Sequence, residues 1–151
     1  LTHSFQRKSN AAGAIFMDET CSIFPRSRNL IIHGHNMRDG TAFGKLSRFR
    51  DIDYLMKYPC ITFSTLYSTE YYSPFAVIQY SVDPNSKDYL DIYAINTMTD
   101  TEFGSFVSVL KNRWLYLIIM PVAKTDPILT LVTCWGDNQN DRLAVFAKKR
   151  E

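Results

Sequence analysis

The stretch from Ile128 to Arg142, Ile-Leu-Thr-Leu-Val-Thr-Cys-Trp-Gly-Asp-Asn-Gln-Asn-Asp-Arg, limits the fold more than any other. Within it Leu129, Leu131 and Thr133 alternate with Thr130, Val132 and Cys134, the pattern of a half-buried strand. Arg142 to Lys148 reads the same way. Between the two runs Gly136, Asp137, Asn138, Asn140 and Asp141 carry turn chemistry, which predicts two antiparallel strands joined by a seven-residue loop. Cys134 and Arg142 then flank that loop, and if they oppose each other across the ladder their side chains emerge on one face with Cβ atoms about 5 Å apart. A guanidinium beside a thiol favours the thiolate and offers donors to an oxyanion. Taken alone, the same two residues also fit a small buried hydrophobe and an ordinary strand-end charge.

The remainder of the chain predicts mostly strands. Ala14 to Met17 follows Gly13 and is closed by Asp18 and Glu19; Asn29 to His35 forms a second strand, and Asp39-Gly40 marks a turn. Thr41 caps a short helix over Ala42 to Phe49, and Asp51 or Asp53 begins another turn that Pro59 stops after Tyr58. Cys60 to Tyr67, Phe75 to Val82 and Tyr89 to Ile95 read as strands. The best helix is Asp100 to Asn112, capped by Asp100 or Thr101, with Phe103, Phe106, Val107 and Leu110 along one face. A chain of about six to eight strands with few helices hides its edges by closing, or nearly closing, into an antiparallel barrel.

Composition narrows the function classes. At 151 residues and 46% hydrophobic the chain forms one domain with a core of its own. A net charge of +2, with no basic run interleaved with aromatics, argues against nucleic acid as a partner. Three cysteines, Cys21, Cys60 and Cys134, cannot all pair within one chain and show no CxxC spacing, so at least one thiol is free. The longest apolar run, Trp114 to Val122, is about half of what a bilayer span requires and is cut by Pro121. The chain starts at Leu1 without an initiator Met and is read as a fragment whose N-terminal part lies outside it.

His35 also ends a strand. A cysteine, a histidine and an arginine at three strand ends make a nucleophile, a base and an oxyanion stabiliser if the fold gathers those ends. His33, two residues before His35, shares its face, so a metal-binding barrel using both histidines and a cysteine is a rival reading. A binding module without turnover is another.

The segment Asn29-Leu-Ile-Ile-His-Gly-His35-Asn-Met-Arg-Asp-Gly-Thr-Ala-Phe-Gly-Lys-Leu46 closely resembles the active-site histidine region of class B sortases. Ile128 to Cys134 resembles their Thr-Leu-x-Thr-Cys strand, and Arg142 to Lys148 their arginine-bearing last strand. Leu1-Thr-His-Ser-Phe5 and Gly13 to Asp18 match their opening, and the helix at Asp100 to Asn112 falls before the cysteine strand as theirs does. The resemblance implies a mainly β fold, a closed antiparallel sortase-type barrel of about eight strands with a few peripheral helices. It implies a single catalytic domain over residues 1 to 151, lacking a membrane anchor and N-terminal helices.

The implied activity is that of a cysteine transpeptidase on the outer face of a Gram-positive cell membrane. Such an enzyme cleaves an NPQTN-like sorting motif of surface proteins after threonine, holds the acyl part as a thioester, and passes it to an amine of the peptidoglycan precursor, the lipid II cross-bridge. By the resemblance Cys134 is the nucleophile, His35 the acid and base, and Arg142 the oxyanion partner; no metal and no cofactor are implied. His33 stands where relatives often have tyrosine. Leu1, Asn85, Tyr89, Leu90, Thr133 and Trp135 fall at positions that would line the substrate groove. Val132 replaces a serine common among relatives, and Trp135 a smaller or polar residue, so a groove hydrogen bond is lost and stacking area is gained. Because His35 must be protonated to release one amine and neutral to receive another, a bell-shaped pH dependence follows.

Overall fold

The computed structural model describes Ser9 and residues 13–114 and 120–151. Six strands form one sheet: β1 (Phe16–Met17), β2 (Asn29–His33), β3 (Ile61–Ser64), β4 (Thr69–Ser81), β5 (Ile128–Cys134) and β6 (Asp141–Lys149). Their spatial order is β1-β2-β5-β6-β4-β3. Two helices accompany them, α1 (Ile52–Lys57) and α2 (Asp100–Arg113), with short 3-10 turns at Leu46–Arg50 and Ala94–Asn96. The fold is therefore mainly β with few helices, as the sequence predicts. It departs from a closed, wholly antiparallel barrel in two ways. β2 and β5 pair in parallel, and among the described residues the outer strands β1 and β3 do not pair with each other. The parallel pair is possible because the connection from β2 to β5 is long enough to cross over the sheet, which a hairpin cannot do.

The central strands bury both faces. In β6 the run Leu143 to Ala147 is fully enclosed, flanked by β5 on one side and β4 on the other. Register lines up Ile31, Thr130, Phe146 and Ala76 across four strands. Onto Phe146 in this row α2 packs Phe106, with ring centroids 6.2 Å apart and edges to faces. The apolar face of α2 (Phe103, Phe106, Val107, Leu110) is the one its spacing predicts. Its cap is Thr99 instead of Asp100 or Thr101: Thr99 Oγ1 accepts from the Glu102 N–H, and Glu102 reaches back to the Thr99 N–H at 2.7 Å. Arg28 ties the helix start to β2 through Asp100 at 3.1 Å and lies 4.9 Å over the Phe103 ring.

Two other expectations give way to local polar bonds. The helix predicted from Ala42 does not begin there, because the Thr41 hydroxyl turns back to Asp39 Oδ1 at 2.6 Å instead of capping forward. Ala42 itself takes φ +46, outside the helical region, and only the 3-10 turn at Leu46–Arg50 follows. The predicted strand Tyr89 to Ile95 is interrupted by Asp91, whose Oδ1 accepts from the N–H groups of Tyr93 and Ala94 at 3.0 and 3.2 Å. Only a bridge between Ser81 and Tyr89 remains, followed by the 3-10 turn at Ala94–Asn96. β4, by contrast, reaches back from Phe75 to Thr69, with a register shift between Pro74 and Ala76. A proline inside the strand hides that extension from a pattern reading.

Candidate active site

The ends of β2, β5 and β6 meet at one pole of the sheet. Cys134 is the last residue of β5 and is paired in register with Arg142 of β6, which meets the condition for both side chains to emerge on one face. Because β2 runs parallel to β5, it leaves the sheet at the same pole: His33 lies opposite Val132. Past His33 the two chains stay bonded. The Gly34 N–H donates to Val132 O at 3.1 Å, Thr133 Oγ1 donates to Gly34 O at 2.8 Å, and Asn36 Nδ2 donates to Cys134 O at 3.1 Å. His35 thus sits between two residues fastened to the cysteine strand. Its own carbonyl accepts from the Phe43 N–H at 2.9 Å, which folds the following loop back over it.

Gly34 is needed for this arrangement. A Cβ there would approach the Phe43 ring to 2.7 Å, so only glycine lets the ring lie against the backbone between the two histidines. Gly40, with φ +79, closes the loop. A side chain on Gly44 would run into the Met37 carbonyl.

The Cys134 thiol is exposed, whereas Cys21 is buried and Cys60 half-buried, and none of the three is paired. Arg142 Nη1 donates to the carbonyls of Gln139 and Asp141 at 2.7 and 2.9 Å. Those bonds hold the guanidinium against the loop between β5 and β6, and Arg142 lines the same groove as Cys134. On the other side of Arg142 its cross-strand neighbour is Tyr80 of β4, so Cys134, Arg142 and Tyr80 form a row across three strands. The Tyr80 hydroxyl is buried without a partner among the described residues, and burial, with the negative charges of Tyr93, Asp91 and Cys134, drives its titration well above the ordinary phenol range despite Arg142.

A groove of about 300 Å³ runs beside the thiol, lined by His33, Val82, Tyr93, Val132, Cys134 and Arg142. Thr133 also borders it. Trp135 lies in the adjoining hollow with Tyr80, Asp88 and Asp141, its ring covered by Arg50 at 4.8 Å. Asn85, Tyr89 and Leu90 are not among the residues that line the groove beside the thiol. Asn85 is in the turn after β4, bonded to Asp83. Tyr89 bridges to Ser81, and Leu90 is packed in the core. Leu1 lies outside the described residues.

His33, which sequence reasoning set aside, is anchored by a neighbour it did not single out. Its Nε2 donates to Asp18 Oδ2 at 2.9 Å, and its ring stacks on Phe16 with centroids 5.2 Å apart. The closure of β1 by Asp18 was visible; its meeting with His33 depends on the pairing of β1 with β2, which no local pattern announces. Among the described residues no three histidine, cysteine or acidic side chains gather as metal ligands. Nor is any described helix long and apolar enough to cross a membrane.

This curled sheet thus brings a cysteine and an arginine into register at one pole, beside a turn that carries a histidine. A family model for the sortase domain matches residues 2–150, and the chain belongs to the sortase family. It is 29% identical to sortase B of Listeria monocytogenes over 143 residues, which is 93% of this chain and 54% of that protein. Against sortase B of Staphylococcus aureus the figures are 25% identity, 98% of this chain and 59% of the relative. The chain thus spans little more than half the length of these curated relatives. A solved Bacillus anthracis protein described as similar to sortase B superimposes over all of the chain and 67% of its own length, with TM-score 0.80 and 30% identity. The affinity is to class B.

Proposed function

We propose that this chain is the catalytic domain of a class B sortase, a cysteine transpeptidase that joins surface proteins to the cell wall. The observation that carries the reading is the pairing of Cys134 with Arg142 beside a turn that Asn36 bonds to the Cys134 carbonyl. In this reading the Cys134 thiolate attacks the threonine carbonyl of an NPQTN-like motif. Arg142 stabilises the oxyanion that forms. Collapse breaks the peptide C–N bond while His35 gives its proton to the leaving amine, and a thioester remains on Cys134. An amine of the peptidoglycan precursor, the lipid II cross-bridge, then attacks the thioester. His35 takes its proton, the new amide forms and Cys134 leaves as thiolate.

The exposed thiol, alone of the three, fits attack on a large peptide substrate. Thr133 and Trp135 flank the nucleophile as groove residues, while Asn85, Tyr89, Leu90 and Leu1 are assigned to more distant contacts. The place of action in this reading is the outer face of the membrane.

The test is cleavage of a panel of sorting-motif peptides, followed by mass spectrometry with and without an added amine. Scission after threonine, an acyl adduct on Cys134, transfer to the amine and the loss of all three in Cys134→Ala are expected. A folded protein whose Cys134 takes no adduct from any peptide, and reacts with alkylating agents no faster than a free thiol, overturns the reading.

A further inference from the structure

His33 faces the same groove as Cys134 but has no place in the transfer chemistry above. We propose that His33, held by Asp18, is a specificity-determining residue that accepts a hydrogen bond through Nδ1 from an N–H of the donor peptide next to the scissile bond. The inference rests on the transpeptidase reading and adds to it one element of substrate recognition.

The geometry fixes which ring nitrogen is available. Asp18 Oδ1 is already taken by Thr20, whose N–H and hydroxyl donate to it at 3.0 and 2.6 Å. Its Oδ2 faces His33 Nε2 at 2.9 Å. Burial raises the Asp18 carboxyl, but the bonds from Thr20 and His33 outweigh it, and the group titrates below its ordinary value. An ionised carboxylate only accepts, so Nε2 carries a proton, and in the neutral form of the ring the lone pair is then on Nδ1. Among the described residues Nδ1 has no hydrogen-bond partner.

The ring cannot swing away to find one. Phe16 stacks on it at 5.2 Å and Tyr93 lies beyond at 6.4 Å, both within 24° of parallel. Only 17% of the His33 side chain and 14% of that of Asp18 are exposed, so what remains open is the edge toward the groove. His33 is level with Val132, and Cys134 is two residues further along the same face, about 7 Å at two strand rises. One extended peptide residue covers about 3.5 Å. A carbonyl held at Cys134 therefore places the N–H groups of its near neighbours within reach of the imidazole edge.

The inference is tested by binding fluorescein-labelled sorting-motif peptide to Cys134→Ala, alone and combined with His33→Phe or Asp18→Asn. His33→Phe keeps the stacked plane and removes Nδ1; Asp18→Asn releases the tautomer. Each is expected to weaken binding about three- to tenfold, as loss of one hydrogen bond does. In enzyme with Cys134 intact, acylation should show the change in KM and not in kcat. Peptides N-methylated at single positions should reveal one site where methylation weakens binding to the parent but adds nothing in His33→Phe. Nitrogen NMR should find the proton of His33 on Nε2.

Binding within twofold of the parent for both variants overturns the inference, as does a proton on Nδ1, or additive losses at every methylated position. If His33→Phe fails to fold, the Asp18→Asn comparison and the tautomer decide the matter. Peptide binding that depends on His33 without any acylation overturns the transpeptidase reading alone, whereas normal acylation indifferent to His33 overturns the present inference alone.

Discussion

At the scale of single residues, the site depends on groups whose neighbours leave them one arrangement. Arg142 is fixed by two loop carbonyls and faces Cys134 across the ladder. Its replacement by Ala should lower kcat for thioester formation by about 10²- to 10³-fold, the usual loss of an oxyanion donor. Single-turnover acylation measures it. Gly34→Ala drives a methyl group into the Phe43 ring and should cost about 1–3 kcal/mol of stability in a denaturant titration. Tyr72 provides a pH test away from the site. Its fully buried ring and the bond its hydroxyl donates to Glu70 push it up to about 12 from 10.0. A phenol raised in the folded state stabilises while it stays neutral, so its contribution is whole below pH 10 and is lost as pH rises toward 12. Thermal melts across that window should show wild type losing stability more steeply than Tyr72→Phe.

At the scale of elements, legibility followed the kind of signal. β5 and β6 were readable because alternation and turn chemistry are local, and they fell within a residue of the predicted bounds. The apolar face of α2 was readable for the same reason. What escaped were choices between competing polar bonds. Thr41 turns back to Asp39, Asp91 interrupts a strand, and Thr99 takes the cap that Asp100 or Thr101 was expected to hold. Hidden too were contacts made only by tertiary pairing, such as Asn36 on the Cys134 carbonyl and Asp18 on His33. The capping box makes the α2 start testable. Thr99→Ala should destabilise the fold by about 1 kcal/mol, whereas Thr101→Ala, whose side chain does not cap, should leave the chemical-denaturation midpoint nearly unchanged.

At the scale of the whole molecule, the sheet is most secure at its centre. β5 and β6 are each flanked on both sides, while β1 pairs over two residues and β3 over four. Native-state hydrogen exchange should therefore find the slowest amides in Leu129 to Val132 and Leu143 to Ala147, and the fastest strand amides in β1 and β3. Equal protection across all six strands would contradict this picture.

The parallel pairing of β2 with β5 has a further consequence for how the molecule comes into being. The imidazole turn is made earlier in synthesis than the thiol, and the strand that carries the thiol must slide between β2 and β6, the last of the described strands. Contacts so far apart along the chain form only after the intervening loop has closed. Until β6 has emerged, the growing polypeptide holds Cys134 without Arg142 opposite it. The cross-strand pair of Cys134 and Arg142 is thus assembled only when β6 has joined β5, late in the order in which the described strands are made.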